Sequence, residues 1–231
     1  CFAYDYSTIT GTKASGAEIS GYSGALEVNV VDFGADKKGK KDSSKAIQKA
    51  LDYAIDNGSN SVQIKVVVPK GKYRIDKLLE IYSNTWLYLE DGATIVRNFD
   101  KGCMIKNAQA NGAGGYGSER NIVIEGGCWD GNPSPTSRPF SNMRFGHMKN
   151  LWIKNVEIKN NYNGHHVEIG GVKGITIEDC DFHGYMGTFQ KEAIQLDTIS
   201  NSDVFPAYEP FDDTPCDLSL IHISEPTRPI S

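Results

Sequence analysis

The chain has 231 residues, 39% hydrophobic and 23% charged, with a formal net charge of -5. That composition argues against wholesale disorder and allows a single large domain. The absence of a basic stripe argues against nucleic acid as a partner, and no run approaches the roughly 20 apolar residues of a membrane span.

The chain opens at Cys1, not Met, and shows no secretory leader, which reads as a truncated start, an acylated N-terminal Cys being the alternative. Residues 1–26 are rich in Ser, Thr, Gly and Ala and read as a linker or arm. Order is expected from the strand Glu27-Val28-Asn29-Val30-Val31, which ends in a turn at Gly34. The basic run Lys37-Lys38-Gly39-Lys40-Lys41 reads as a solvated loop before a helix. Ala46, Ile47, Ala50, Leu51, Ala54 and Ile55 then recur at helical spacing, with Asp42 or Ser43 as N-cap and Asn57-Gly58 as the stop. Short strands follow at 62–68, closed by Pro69-Lys70-Gly71, at 73–75 and 78–81, at 85–90, closed by Asp91-Gly92, and at 94–96.

From residue 121 the pattern repeats. Asn121-Ile122-Val123-Ile124-Glu125, Asn150-Leu151-Trp152-Ile153-Lys154 and Gly174-Ile175-Thr176-Ile177-Glu178 each open a unit of strand, polar corner and second strand. The starts lie 29 and 24 residues apart. Constrained strands joined by unconstrained corner loops predict an all-β, right-handed parallel β-helix solenoid, its open end covered by the amphipathic helix at about 42–56. Only the N-terminal part of such a solenoid is expected, truncated after a few coils. The five scattered Cys residues, at 1, 103, 128, 180 and 216, contain no CxxC pair and read as buried small hydrophobes. Leu218 to Arg228 resembles the translation of a transposase sequencing adaptor, which makes 218–231 an artefactual tail after a β-helix part at 27–217; the alternative is a real strand with a Pro-rich end.

Several runs resemble the N-terminal cap of the pectate-lyase-like superfamily: Val30-Val31-Asp32-Phe33-Gly34-Ala35, Ala46-Ile47-Gln48-Lys49-Ala50, Val67-Val68-Pro69-Lys70-Gly71-Lys72-Tyr73 and Leu87-Tyr88-Leu89-Glu90-Asp91-Gly92. Polygalacturonases (family 28 glycoside hydrolases), related pectinases and phage tailspikes share this cap. By that resemblance Asn163-Gly164-His165 stands where polygalacturonases carry Asn-Thr-Asp, and Lys191-Glu192 where they carry a paired Asp. His165 and Lys191 thus replace acids, and the later Gly-His-Gly and Arg-x-Lys motifs would fall beyond residue 217.

The resemblance implies an extracellular or cell-surface polysaccharide-degrading enzyme, a glycoside hydrolase working by carboxylate acid/base chemistry on an acidic or complex polysaccharide. The alternatives are a lyase or a non-catalytic glycan-binding adhesin or tailspike. Glu192, Glu168, Asp197 and His166 are the expected catalytic groups, since a glycosidase needs two carboxyls across the scissile bond and a His beside a carboxylate makes an oriented base. His165, Asn163, Lys191, Gln195 and Tyr185 are expected to bind substrate. Strand parity puts His166 and Glu168 on one face and His165 on the other, and sets Glu192 opposite Gln195 and Asp197. Tyr162, Tyr185, Phe189, Tyr208 and Trp129 are candidate sugar-stacking rings, or loop packing. No cofactor or metal is required; the Asp212-Asp213 pair makes a turn or, by resemblance to the lyases, binds calcium. A polysaccharide is the expected partner, and oligomeric state stays open.

Overall fold

The computed structural model describes residue 22 and residues 24–222, apart from 110, 190, 207, 218 and 219. Residues 1–21 of the expected arm lie outside the described residues. The first strand, β1 (Gly24–Asn29), begins a little earlier than expected, and a 3-10 turn at Val30–Phe33 closes on Gly34, whose φ of 98° suits glycine. The basic run is a strand, β2 (Lys38–Asp42), and not a loop, although it is solvated as expected. Asp36 organises it by accepting the backbone N–H groups of Lys38, Lys40 and Lys41.

Helix α1 (Ser44–Asn57) follows. Ser43 holds the N-cap position, but Asp42 Oδ1 is the oxygen that accepts from Ser44 N, at 2.8 Å. Ala46, Ile47, Ala50, Leu51 and Ala54 are buried and join the main core, whereas Ile55 is 57% exposed and off the packed face. The helix packs over β3 (Val62–Val68) and β5 (Leu79–Ile81), covering the open end of the sheets as the sequence predicts.

The remaining strands are β4 (Gly71–Ile75), β6 (Thr85–Leu89), β7 (Ala93–Arg97), β8 (Ile105–Asn107), β9 (Arg120–Glu125), β10 (Cys128–Asp130), β11 (Met143–Lys154), β12 (Glu157–Lys159), β13 (Val167–Glu178), β14 (Asp181–His183), β15 (Ile194–Asp197) and β16 (Leu220–His222). Every ladder between these strands is parallel. The chain is a right-handed parallel β-helix with three faces per coil, the handedness that parallel crossovers adopt. Face one carries β5, β8, the first part of β11, the first part of β13 and β15. Face two carries β1, β3, β6, β9, the second parts of β11 and β13, and β16. Face three is the six-stranded sheet β14-β12-β10-β7-β4-β2.

The register follows the repeat read from the sequence, with Leu151 pairing Ile122 on one side and Ile175 on the other. All three are fully buried, so aliphatics stack coil on coil. The corners turn through left-handed backbone at Asn84, Asn121, Asn150, Asn155, Asn160 and Asp179, which tolerate it because their short polar side chains bond locally. Asn150 donates to Asn121 at 2.8 Å and Asn121 to Asn84 at 3.1 Å, a ladder along one corner. Cys103, Cys128 and Cys180 are buried and Cys216 partly so, all as free thiols.

Candidate functional site

Face one positions the site. Along it Glu80, Lys106, Arg144, Glu168 and Gln195 fall in one cross-strand row. Their strand neighbours Ile105, Met143, Phe145, Val167 and Ile169 are buried in the core, so the row points outward. Lys106 pairs with Glu80 at 3.1 Å. Arg144 turns both Nε and Nη2 onto Glu168 Oε2, at 2.7 and 2.6 Å. Burial works against the Arg144 cation, yet Glu168 beside it holds the guanidinium above its ordinary pKa.

One step along, Gly146, Gly170 and Asp197 form the next outward row. The two glycines are required because the segment 198–217 folds back over them as a flap. A Cβ on Gly146 would come within 2.7 Å of the Tyr208 ring, and one on Gly170 within 3.0 Å of Ile199. Ile199, Phe205 and Tyr208 make the flap's own small core. Tyr208 donates its hydroxyl to Asn107 Oδ1 at 2.7 Å, and burial raises that phenol well above its usual range.

Sheet and flap enclose an open cleft of about 350 Å³. Six of the residues expected from sequence line it: Asn163, His165, Glu168, Lys191, Gln195 and Asp197. Arg144, Ser141, Phe140 and the flap residues Asp203, Val204 and Pro206 complete the wall. The sequence reading missed Arg144 and Asp203. Arg144 was findable, since it precedes Glu168 by the 24 residues that separate those two coils; Asp203 had no comparable signal, because the flap is not part of the repeat.

The expected parity around His166 is overturned. Strand β13 starts only at Val167, and the bend at His166 breaks the alternation, so His165 and Glu168 share the cleft. His166 instead packs its ring against Phe182 and donates from Nε2 to His183 O at 2.9 Å. Burial lowers its pKa, and its Nδ1 has no hydrogen-bond partner. His165 places Nδ1 2.8 Å from Glu192 O. A carbonyl only accepts, so Nδ1 carries the hydrogen and, in the neutral ring, Nε2 keeps the lone pair.

Glu192 is not opposite Gln195 on a strand, because it precedes β15 in a turn. Its side chain is 76% exposed, with Oε2 3.7 Å from His165 Nδ1, at the rim and off the cleft lining. Asp197 is held by Gln195 Nε2 at 3.2 Å and by Thr198 N at 2.7 Å. Asn163, with a φ of 47°, accepts from Thr188 N at 2.8 Å and so shapes the loop 184–189. Tyr185 on that loop lies off the cleft lining, with its hydroxyl 3.5 Å from Asn163. Of the candidate stacking rings, Trp129 and Tyr208 are buried, and Phe189 is 68% exposed. Asp212 is engaged by Thr214 and Gly115, Asp213 is exposed, and no cluster of three or more metal-ligating side chains occurs among the described residues.

A family model described as rhamnogalacturonase A/epimerase, pectate lyase-like, matches residues 27–204. The plasmin and fibronectin-binding protein A of Streptococcus pneumoniae is 28% identical over 205 residues, 75% of this chain and 27% of that protein. A solved structure of a Streptococcus pneumoniae surface protein and adhesin, PfbA, superposes with a TM-score of 0.70 at 24% identity, over 83% of this chain and 51% of that one. The A-module of an Azotobacter vinelandii mannuronan C-5 epimerase gives 0.56 at 21%, over 75% and 52%. A Yersinia enterocolitica family 28 exopolygalacturonase gives 0.52 at 17%, over 71% and 48%. The chain thus spans about a quarter of the curated relative and about half of each solved one.

Proposed function

The chain belongs to the rhamnogalacturonase A/epimerase, pectate lyase-like family, and on that premise we propose that its face-one cleft binds a polysaccharide at an extracellular or cell-surface location. The observation that carries this reading is the mixed lining. Lys191, Gln195 and Arg144 bring donors, while Asp197, Asp203, Ser141 and His165 Nε2 bring acceptors, along an open trough. A mixture of donors and acceptors suits a hydroxyl-rich polymer, and Arg144, Gln195 and Asp197 among them stand on the rigid sheet. Recognition is favoured over turnover because Glu168, one of the three carboxyls expected from sequence, is committed to Arg144. Its partner in a glycosidase pair would have to come from elsewhere. The adhesin named among the relatives agrees with a binding role.

Hydrolysis is the second reading, favoured by Asp197 and Asp203 on one cleft beside the lone pair of His165. In that case Asp197 and His165 carry the chemistry, and Glu168 and Arg144 orient the sugar.

The test is to titrate the chain with neutral and uronate polysaccharides while assaying reducing ends and unsaturated-uronate absorbance. Saturable binding without product, weakened at least about tenfold by Gln195→Ala with Lys191→Ala, is expected of a recognition groove. Product that vanishes in Asp197→Asn selects the hydrolase. Binding to none of the polymers sinks both, and fibronectin captured instead would move the function to a protein-binding face.

A further inference from the structure

Strand β11 bends at His147, whose φ is 51° and whose side chain is fully buried. The ring lies between two segments that are far apart in sequence. Its Nδ1 is 2.9 Å from Gly115 O, in the loop after β8, and its Nε2 is 2.9 Å from Pro210 O, in the flap. Both partners are carbonyl oxygens, which only accept. A neutral imidazole has one N–H and would set its other nitrogen's lone pair against a carbonyl at contact distance. Only the doubly protonated ring satisfies both contacts.

The surroundings fit a cation. Asp212 Oδ1 lies 4.0 Å from Nδ1, and Asp212 also accepts from Gly115 N, at 2.7 Å. Although partial burial opposes it, the donors Thr214 and Gly115, with His147 beside them, hold the Asp212 carboxyl below its ordinary range. The charged and titratable groups on the packed segments are Asp203, Tyr208, Glu209, Asp212, Asp213, Cys216 and Asp217 on the flap, Tyr116 and Glu119 on the loop, Arg120 and Glu125 on β9, Arg144, Lys149 and Lys154 on β11, and Glu168, Lys173 and Glu178 on β13. Only Asp212 among them comes within ion-pair reach of the ring, and Lys173 is taken by Asp217 at 2.9 Å. Other bonds tie the same two segments, among them Tyr116 Oη to Pro215 O at 3.0 Å and Gln109 Nε2 to Glu209 O. They do not change with protonation of His147. The flap that His147 ties down supplies Asp203, Val204 and Pro206 to the cleft wall.

We propose that His147 is a positioning residue held as an imidazolium ion, a proton-dependent latch that clamps the flap over face one and sets the width of the cleft. The closed flap binds one more proton at this ring than the open flap. Lowering pH therefore favours closure, and raising pH through the titration of His147 favours opening. The inference rests on the ring's two carbonyl partners and not on what the cleft binds.

Two readouts on the full chain test it without any ligand. Ring nitrogen NMR should find both nitrogens of His147 protonated while the flap is closed. A single-proton tautomer under those conditions overturns the latch. Amide exchange in 203–217, corrected for intrinsic rates, should quicken about tenfold or more as His147 titrates. In His147→Asn, a residue that tolerates the left-handed bend, that pH dependence should disappear. If this variant fails to fold, Asp212→Asn serves instead, and it should move the opening midpoint to lower pH. An unchanged pH profile in the variant that folds overturns the proposal. Failure of all polysaccharides to bind, with the flap still pH-dependent, would remove the cleft reading and leave the latch standing.

Discussion

The capped end and the last coil of this solenoid are built from the same inward alternation and reach different burial. At the capped end α1 lays Ile47, Ala50 and Leu51 into the core with no exposure. In the last coil the equivalent inward residues Phe182, Ile194 and Leu196 are only half-buried. Each coil of a solenoid is covered only by its neighbours, so inward orientation alone does not deliver burial. The cleft lies where the two regimes meet. Its floor, on β11 and β13, is rigid and fully covered, while its far wall is β15 and a flap with a core of three side chains.

The largest expected effect is at the floor. Arg144→Ala should cost about 3–5 kcal/mol in urea unfolding, because it leaves the nearly buried Glu168 carboxylate uncompensated. Pairing it with Glu168→Gln should recover most of that loss; no recovery would mean that packing, not charge, makes Arg144 costly. Next, Leu51→Ala at the cap should cost about 3 kcal/mol, as for other fully buried Leu residues, against roughly 1 kcal/mol for Leu196→Ala in the last coil. Equal losses at both positions would break the comparison.

A smaller effect follows from His166, whose burial lowers its pKa below the unfolded value of about 6.5. Between those two values the unfolded chain binds the proton and the folded chain does not. Stability is therefore fully present above about pH 6.5 and falls as pH drops towards the folded pKa, by at most about 1.4 kcal/mol per unit. His166→Phe should flatten that limb of the pH–stability curve. The sign is opposite to that of the His147 latch, so the two rings can be separated by pH alone. Smallest of all, Phe189→Ala on the exposed loop should change stability by no more than about 0.5 kcal/mol. A larger loss would show that the loop 184–189 is packed more firmly than its exposure indicates.

Much of the fold was legible before any coordinates. The repeated triplets Ile122-Val123-Ile124, Leu151-Trp152-Ile153 and Ile175-Thr176-Ile177 announce stacked strands, and the Asn and Gly residues between them mark corners that need left-handed backbone. The site was only partly legible. Asn163, His165, Glu168, Lys191, Gln195 and Asp197 converge because coil alignment carries residues of one face into register. The parity argument failed at His166, since alternation holds only within a strand and the strand begins one residue later. Nor did the sequence separate the buried Tyr208 and Trp129 from the exposed Phe189, because an aromatic near a loop gives no sign of whether it faces the core.

The sequence by itself determined the repeat, the capping helix, the inward rows and most of the residues on face one, because these depend on local periodicity and backbone preference. Only the tertiary structure decided how those residues are used. Glu168 is spent on Arg144, His166 on the carbonyl of His183, and His147 on two carbonyls from segments that no periodicity connects. Such pairings depend on where the flap returns across the sheet, and that return is set by long-range packing on Gly146 and Gly170.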